Sequence, residues 1–373
     1  MNGTQYSERL RLLKTSIRTP SAGLLSSIIL VGVLMPRSQS LADAVSVDGG
    51  ASLETVQAAI DGLPADRDFV ATVKMQGEFR LDGPIVLPSH TRLDLSEAFI
   101  ELTDGSAEAL ITNADHEAGN TRIEVRGGRL QGPGRGGEAQ GILFIRVSDC
   151  SIEDIEVANF PQDGIRLSGH GRHTRRIRVN DLLCRDNGNS GLNLMWAVRE
   201  VQVSNVLASG NLIGLRSDHS EGSYVNVTAD SNRKWGIFVR NVFGNHYANM
   251  TAARNGAEGI YVVGMVSSSG TSWRAHNNGQ DKRDTPADIV FSRDDQFSYG
   301  TTAASIVSGI SAGSYPQYGG RGPLPYGIYF EGTDGDGGSF DQVRLVGGTT
   351  GETAKGFLRL PPGGGVVTEE LPE

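Results

Sequence analysis

The sequence predicts an all-β chain: a single-stranded right-handed parallel β-helix of about 23 residues per coil with a short N-terminal capping helix. Three observations predict it. A Gly-apolar-x-apolar segment recurs at near-constant spacing, short alternating strands lie between its copies, and asparagines return in one turn of the repeat.

The recurring segment reads Gly141-Ile142-Leu143-Phe144, Gly164-Ile165-Arg166-Leu167, Gly191-Leu192-Asn193-Leu194 and Gly214-Leu215-Arg216. It continues as Gly236-Ile237-Phe238-Val239, Gly259-Ile260-Tyr261-Val262 and Gly327-Ile328-Tyr329-Phe330. The glycine spacings are 23, 27, 23, 22, 23 and 68, the last close to three periods. Ala287-Asp288-Ile289-Val290-Phe291 fits one of the missing rungs. Other strands, such as Ile177-Arg178-Val179, Val201-Gln202-Val203 and Tyr224-Val225-Asn226-Val227, alternate in the same way. Strands this short bury no core alone, whereas coils stacked ~4.8 Å apart share one. Asn187, Asn211, Asn232 and Asn255 precede the glycines, where stacked amides can hydrogen-bond along the column and tolerate a left-handed turn.

The coil ends need covers, because open ends expose unpaired strand edges. Leu53 to Leu63 places Val56, Ile60 and Leu63 on one face behind Ser52 as N-cap, so it reads as the capping helix. Residues 45–360 form one expected domain. Pro361-Pro362-Gly363-Gly364-Gly365 and the acidic residues after it read as a C-terminal tail, 361–373. At the other end, Arg9, Arg11, Lys14 and Arg18 precede an apolar run from Leu24 to Leu34, then Ala42-Asp43-Ala44. This order is that of a cleaved signal peptide, residues 1–44, and the run is shorter than the ~20 residues that span a bilayer. The expected location is secreted or periplasmic, with no membrane contact after cleavage.

Fifty glycines and 6% aromatic residues suit short strands and turns rather than a helix bundle. Removing residues 1–44 takes away five basic and two acidic side chains, so the net charge moves from −9 to −12. Such a surface repels nucleic acid. Cys150 and Cys184 neither require nor exclude a disulfide and make no metal site. No cofactor is implied; bound Ca²⁺ is left open, since its clustered oxygen ligands are a matter of geometry. A homo-oligomer is left open.

Because outward side chains of equivalent strands stack, the period itself names neighbours. One outward column reads Leu143, Arg166, Asn193, Arg216, Phe238, Tyr261, Val290, Tyr329. The next reads Ile145, Ser168, Met195, Asp218, Arg240, Val263, Ser292, Glu331. Their middle coils gather Arg166, Arg216, Asp218, Arg240 and Tyr261, flanked by Asp163, His219, Glu221 and Lys234.

Gly83-Pro84-Ile85-Val86-Leu87-Pro88, Arg126-Gly127-Gly128-Arg129-Leu130-Gln131-Gly132 and Asp163-Gly164-Ile165 resemble the opening coils of pectin-lyase-like proteins. That superfamily includes polygalacturonases, pectate lyases, mannuronan epimerases and phage tailspikes. The resemblance implies the β-helix and a polysaccharide partner. It does not extend to a narrower family. Gly169-His170-Gly171 and Arg176-Ile177-Arg178 lie too close together to occupy the successive coils of a polygalacturonase site, and they read as turns. His173 and His276 read likewise. The Asp-Pro-His-Asp of mannuronan epimerases has only Arg216-Ser217-Asp218-His219 as a partial counterpart.

Three arginines on an acidic chain suit an anionic glycan, since a guanidinium holds a uronate carboxylate in a two-point fork. The expected chemistry is proton abstraction, of lyase or C5-epimerase type. Arg216 and Arg240 would neutralise the carboxylate, His219 or Tyr261 would move the proton, and Asp218 would orient it. Asp163, Arg166, Asn193, Glu221, Lys234, Trp235 and Phe238 are the expected substrate contacts, with Trp235, Phe238 and Tyr261 offering ring faces. One alternative is an inverting glycoside hydrolase of polygalacturonase-like type, using Asp163, Asp218, Glu221 or Asp288. Another is a non-catalytic glycan-binding surface protein, in which Arg and Asp simply pair with one another on a solvated sheet.

Overall fold

The computed structural model describes residues 44–281, 285–292, 302–314, 323–331, 340–360 and 365–372. The expected signal segment therefore lies outside the described residues but for Ala44. Alternation of apolar and polar residues makes nearly every described segment a strand. These strands pair in parallel with their equivalents one coil away, giving a β-solenoid of about 12 turns. The inward residues form a continuous core from Val47 to Phe357.

Both sequence-read columns are present in register. Leu143, Arg166, Asn193, Arg216, Phe238, Tyr261, Val290 and Tyr329 are successive partners on adjacent strands. So are Ile145, Ser168, Met195, Asp218, Arg240, Val263, Ser292 and Glu331. One expectation changes. The 68-residue interval holds two enlarged coils rather than three, because Ile260 pairs with Ile289 and Ile289 with Ile328.

The asparagine ladder explains the glycines of the repeat. Asn187 donates from Nδ2 to Asn211 Oδ1 at 2.9 Å, Asn211 to Asn232 at 3.1 Å, and Asn232 to Asn255 at 3.0 Å. The column goes on through Asn278, which sequence reading passed over, and ends on Asp288 Oδ1 at 2.7 Å. A Cβ at Gly236 would stand 2.6 Å from Asn255 Nδ2, so only glycine fits beside the ladder there. Asp288 also accepts from Gly313 N at 3.1 Å and is fully buried, which removes it from the carboxylates open to a substrate. Burial pushes its carboxyl up to about 7 against the bonds from Asn278 and Gly313.

The ends follow the same logic. The helix Leu53–Asp61 starts at Ser52, whose hydroxyl accepts from Thr55 N, and buries Val56 and Ile60. Stacking continues past residue 360: Val366–Glu369 pairs with Val343–Val346, and Arg344 binds Glu369. The expected tail thus supplies a strand, because Val366 and Thr368 resume the alternation; residues 361–364 lie outside the described residues. Cys150 and Cys184 are both free, and burial pushes each thiol up to about 12. Among the described residues no helix is long and apolar enough to cross a membrane.

Candidate functional site

The site is built where the strand Ile213–Asp230 turns a corner. His219 adopts φ 51° there, and Trp196, Asn241 and Gly264 at the same corner of adjacent coils have φ 57°, 50° and 82°. A left-handed corner swings the side chain out of the inward–outward alternation and onto the rim.

Asp218, directly before that corner, has 0% side-chain exposure. Arg216 Nη2 donates to its Oδ2 at 2.8 Å, Arg240 Nε to its Oδ1 at 3.0 Å, and His219 Nδ1 lies 2.8 Å from Oδ1. Burial alone would raise this carboxyl, but the bonds from His219, Arg240 and Arg216 outweigh it and hold the group well below the usual carboxylate range. Asp218 is therefore an anion at working pH. An anion can only accept, so His219 carries a proton on Nδ1, and its 42% exposed ring leaves Nε2 free of that bond. The expected Arg–Asp pairing along the column does occur, but under cover rather than on a solvated sheet. Two guanidinium groups, those of Arg216 and Arg240, converge on this one carboxylate.

Beside it, Phe238 lies 5.7 Å from the Arg216 guanidinium and 5.8 Å from that of Arg240. Phe238 stacks on Trp235 at 4.7 Å, and Trp235 on Tyr261 at 5.2 Å. Lys234 Nζ sits 3.6 Å over the Trp235 ring. Trp235 Nε1 donates to Glu258 at 2.8 Å. Tyr261 donates to Glu331 at 3.3 Å, and burial pushes its phenol far above the ordinary value. Tyr261 keeps its proton, which removes it as a base while leaving it able to donate.

On the other side lie Asp163, Arg166 and Asn193. Asp163 is fully buried and accepts from Ser190 N at 2.8 Å and Asn193 Nδ2 at 2.9 Å; burial raises its carboxyl. Arg166 stands 5.9 Å from the ring of Trp196, a residue that sequence reading missed. Trp196, His219, Glu221, Asn241 and Phe243 line one open groove of about 690 Å³. Glu221 also approaches Arg199 to 4.0 Å across an exposed pair. Trp196 is 42% exposed and Phe243 63%, values that fit contact surfaces rather than core. Their signal was a large aromatic at the end of an alternating run, where the phase of the alternation is lost.

The expected residues thus fall into three touching groups: Arg216–Asp218–His219–Arg240 at the corner, Lys234–Trp235–Phe238–Tyr261 above it, and Asp163–Arg166–Asn193 below. Among the described residues no three His, Cys, Asp or Glu side chains converge as a metal cluster.

No protein-family model and no curated protein matches the chain. Solved structures do. The A-module of the mannuronan C-5 epimerase AlgE4 of Azotobacter vinelandii is 18% identical with a TM-score of 0.61, over 86% of this chain and 96% of that one. The AlgE6 A-module of the same organism is 18% identical with a TM-score of 0.59, over 85% and 94%. Tailspike protein 2 of the Escherichia coli O157:H7 bacteriophage CAB120 is 15% identical with a TM-score of 0.57, over 82% and 43%. By fold, the chain is a right-handed parallel β-helix.

Proposed function

We propose that this chain is an exported enzyme that modifies an acidic polysaccharide by removing the C5 proton of a uronate unit. The observation that carries the reading is the buried Asp218 anion fixing, through Nδ1, the His219 ring that lines the groove. His219 takes the proton, and the electron pair left at C5 delocalises into the adjoining carboxylate. The guanidinium groups of Arg216 and Arg240 stabilise that enolate-like state in a site partly screened from water. Returning a proton to the opposite face of C5 gives the epimer; expelling the C4 oxygen substituent gives an unsaturated end. Tyr261, with its phenol protonated, supplies a proton rather than taking one.

Several observations support this over hydrolysis. Inversion needs an acid and a base carboxyl ~6.5–9.5 Å apart, both open to the sugar. Asp218 is held ionised under two arginines, while Asp163 and Asp288 are buried in fixed hydrogen bonds. Structural likeness to modules named mannuronan C-5 epimerases agrees with a uronate substrate. The basic–apolar–small order of residues 1–44 supports export.

Purified protein incubated with polymannuronate, polygalacturonate and other polyuronates tests the reading. A changed epimer ratio by proton NMR, or ultraviolet absorbance from an unsaturated product, is expected. New reducing ends without either signal would establish the hydrolase instead, and binding without turnover the non-catalytic module.

A further inference from the structure

Buried polar atoms without a protein partner cluster on one patch of the outward face. Arg166 Nε, Ser168 Oγ, Asn193 Oδ1 and Arg216 Nε all lack a partner, on adjacent strands of the same sheet. Ser168 and Asn193 are almost completely buried, so each orphan atom represents an uncompensated desolvation that a bound group can relieve. Arg166 makes no ion pair or hydrogen bond among the described residues. Its nearest acidic neighbour, Asp163, turns its oxygens to Ser190 N and Asn193 Nδ2 instead. Trp196 supplies an exposed ring beside Arg166, with His170 tilted against it at 5.6 Å.

We infer that Arg166, Asn193 and Trp196 form a second uronate subsite, next to the one at His219, so that the preferred substrate carries consecutive uronate units. The inference rests on the proposed uronate chemistry but not on turnover. Arg166 and Arg216 are separated by the strand of Asn193, which puts them roughly 9.6 Å apart along the column at two strand spacings. The guanidinium of Arg216 is turned to Asp218 and that of Arg166 to Trp196, so the two forks face different partners. Arg166 therefore takes the carboxylate of a different unit. Trp196 offers a face to that sugar, and Asn193 Oδ1, buried and without a partner, is the acceptor one of its hydroxyls would satisfy.

The test is a binding titration that follows Trp196 fluorescence in the full chain carrying His219→Gln, with mannuronate and galacturonate hexamers as probes. Carboxyl-reduced hexamers serve as neutral controls. Quenching by at least one uronate hexamer is expected, smaller in a Trp196→Phe background, where only Trp235 and Trp273 remain, and absent with the neutral controls. Arg166→Gln should weaken binding at least about tenfold, the loss of one bidentate charge-assisted contact. Arg166→Lys, which keeps the charge but not the fork, should fall between the two. Equal affinity in Arg166→Gln, quenching by neutral hexamers, or no quenching by either uronate hexamer would overturn the subsite. Quenching that needs Arg166, in a wild-type protein that never exchanges the C5 proton, would leave the subsite standing and refute the chemistry alone.

Discussion

Asp218→Asn is the most informative single change, because it keeps the shape of the side chain while removing the charge on which three neighbours depend. The native carboxylate receives Arg216 at 2.8 Å, Arg240 at 3.0 Å and His219 at 2.8 Å with no solvent exposure. The amide takes the Asp218 charge from two adjacent guanidinium groups and turns an N–H₂ toward donors. Removing one partner of a buried ion pair costs about 3–5 kcal/mol, and the partial exposure of Arg216 and Arg240, 20% and 15%, puts this case at the lower end, about 3 kcal/mol. The amide no longer selects the Nδ1–H tautomer, so general-base catalysis by His219 should drop by about 10²–10⁴-fold. Urea unfolding and turnover on the active polyuronate read the two effects separately. A variant with the wild-type midpoint and the wild-type rate would refute the role of Asp218.

The remaining expectations concern the core and its pH response. Asp218, with its carboxyl depressed, contributes stability above the unfolded value near 4 that is lost only in strong acid, so it gives no slope between pH 5 and 8. Asp288 acts in the opposite sense: its native carboxyl is raised to about 7, so its contribution is full below pH ~4 and is lost progressively up to about 7. The loss amounts to at most about 4 kcal/mol, and Asp288→Asn should flatten that slope in pH-dependent unfolding. Tyr247→Phe removes the hydroxyl that joins Ser217 Oγ at 2.8 Å and Asn245 Nδ2 at 2.7 Å, directly beneath the corner of His219. It should lower stability by about 1–3 kcal/mol in denaturant unfolding, since two buried polar groups lose a partner. Phe243→Ala, at an exposed rim position, should leave the midpoint within about 0.5 kcal/mol while weakening hexamer binding.

The register was legible from sequence because the glycine of each repeat sets the phase and alternation does the rest. The period alone sets Arg216, Asp218 and Arg240 side by side. Alternation says which face a residue occupies but not how deeply its neighbours cover it, so the burial of Asp218 beneath two long arginine side chains was not readable. Trp196 and Phe243 escaped because the corner at Trp196-Ala197, with φ 57° and 70°, interrupts the period. Asn278 stands 23 residues after Asn255, so the spacing does mark it; the ladder-ending role of Asp288 escaped because the coils beyond Gly259 lengthen and spacing no longer points to the equivalent turn. The polar cluster Ser217–Ser220–Tyr224–Tyr247 also ran against pattern, since inward positions of neighbouring coils are apolar.

The central claim is that His219, held by Asp218, removes a C5 proton from a uronate unit. Incubating the wild-type chain and His219→Gln with polyuronates in deuterium oxide, and measuring deuterium at C5 of the recovered sugar by NMR, tests it most directly. The account predicts deuterium incorporation or elimination with the wild type and neither with His219→Gln, although the variant still binds. C5 chemistry that persists in His219→Gln, or a wild type that leaves every polyuronate unchanged at C5, would contradict it.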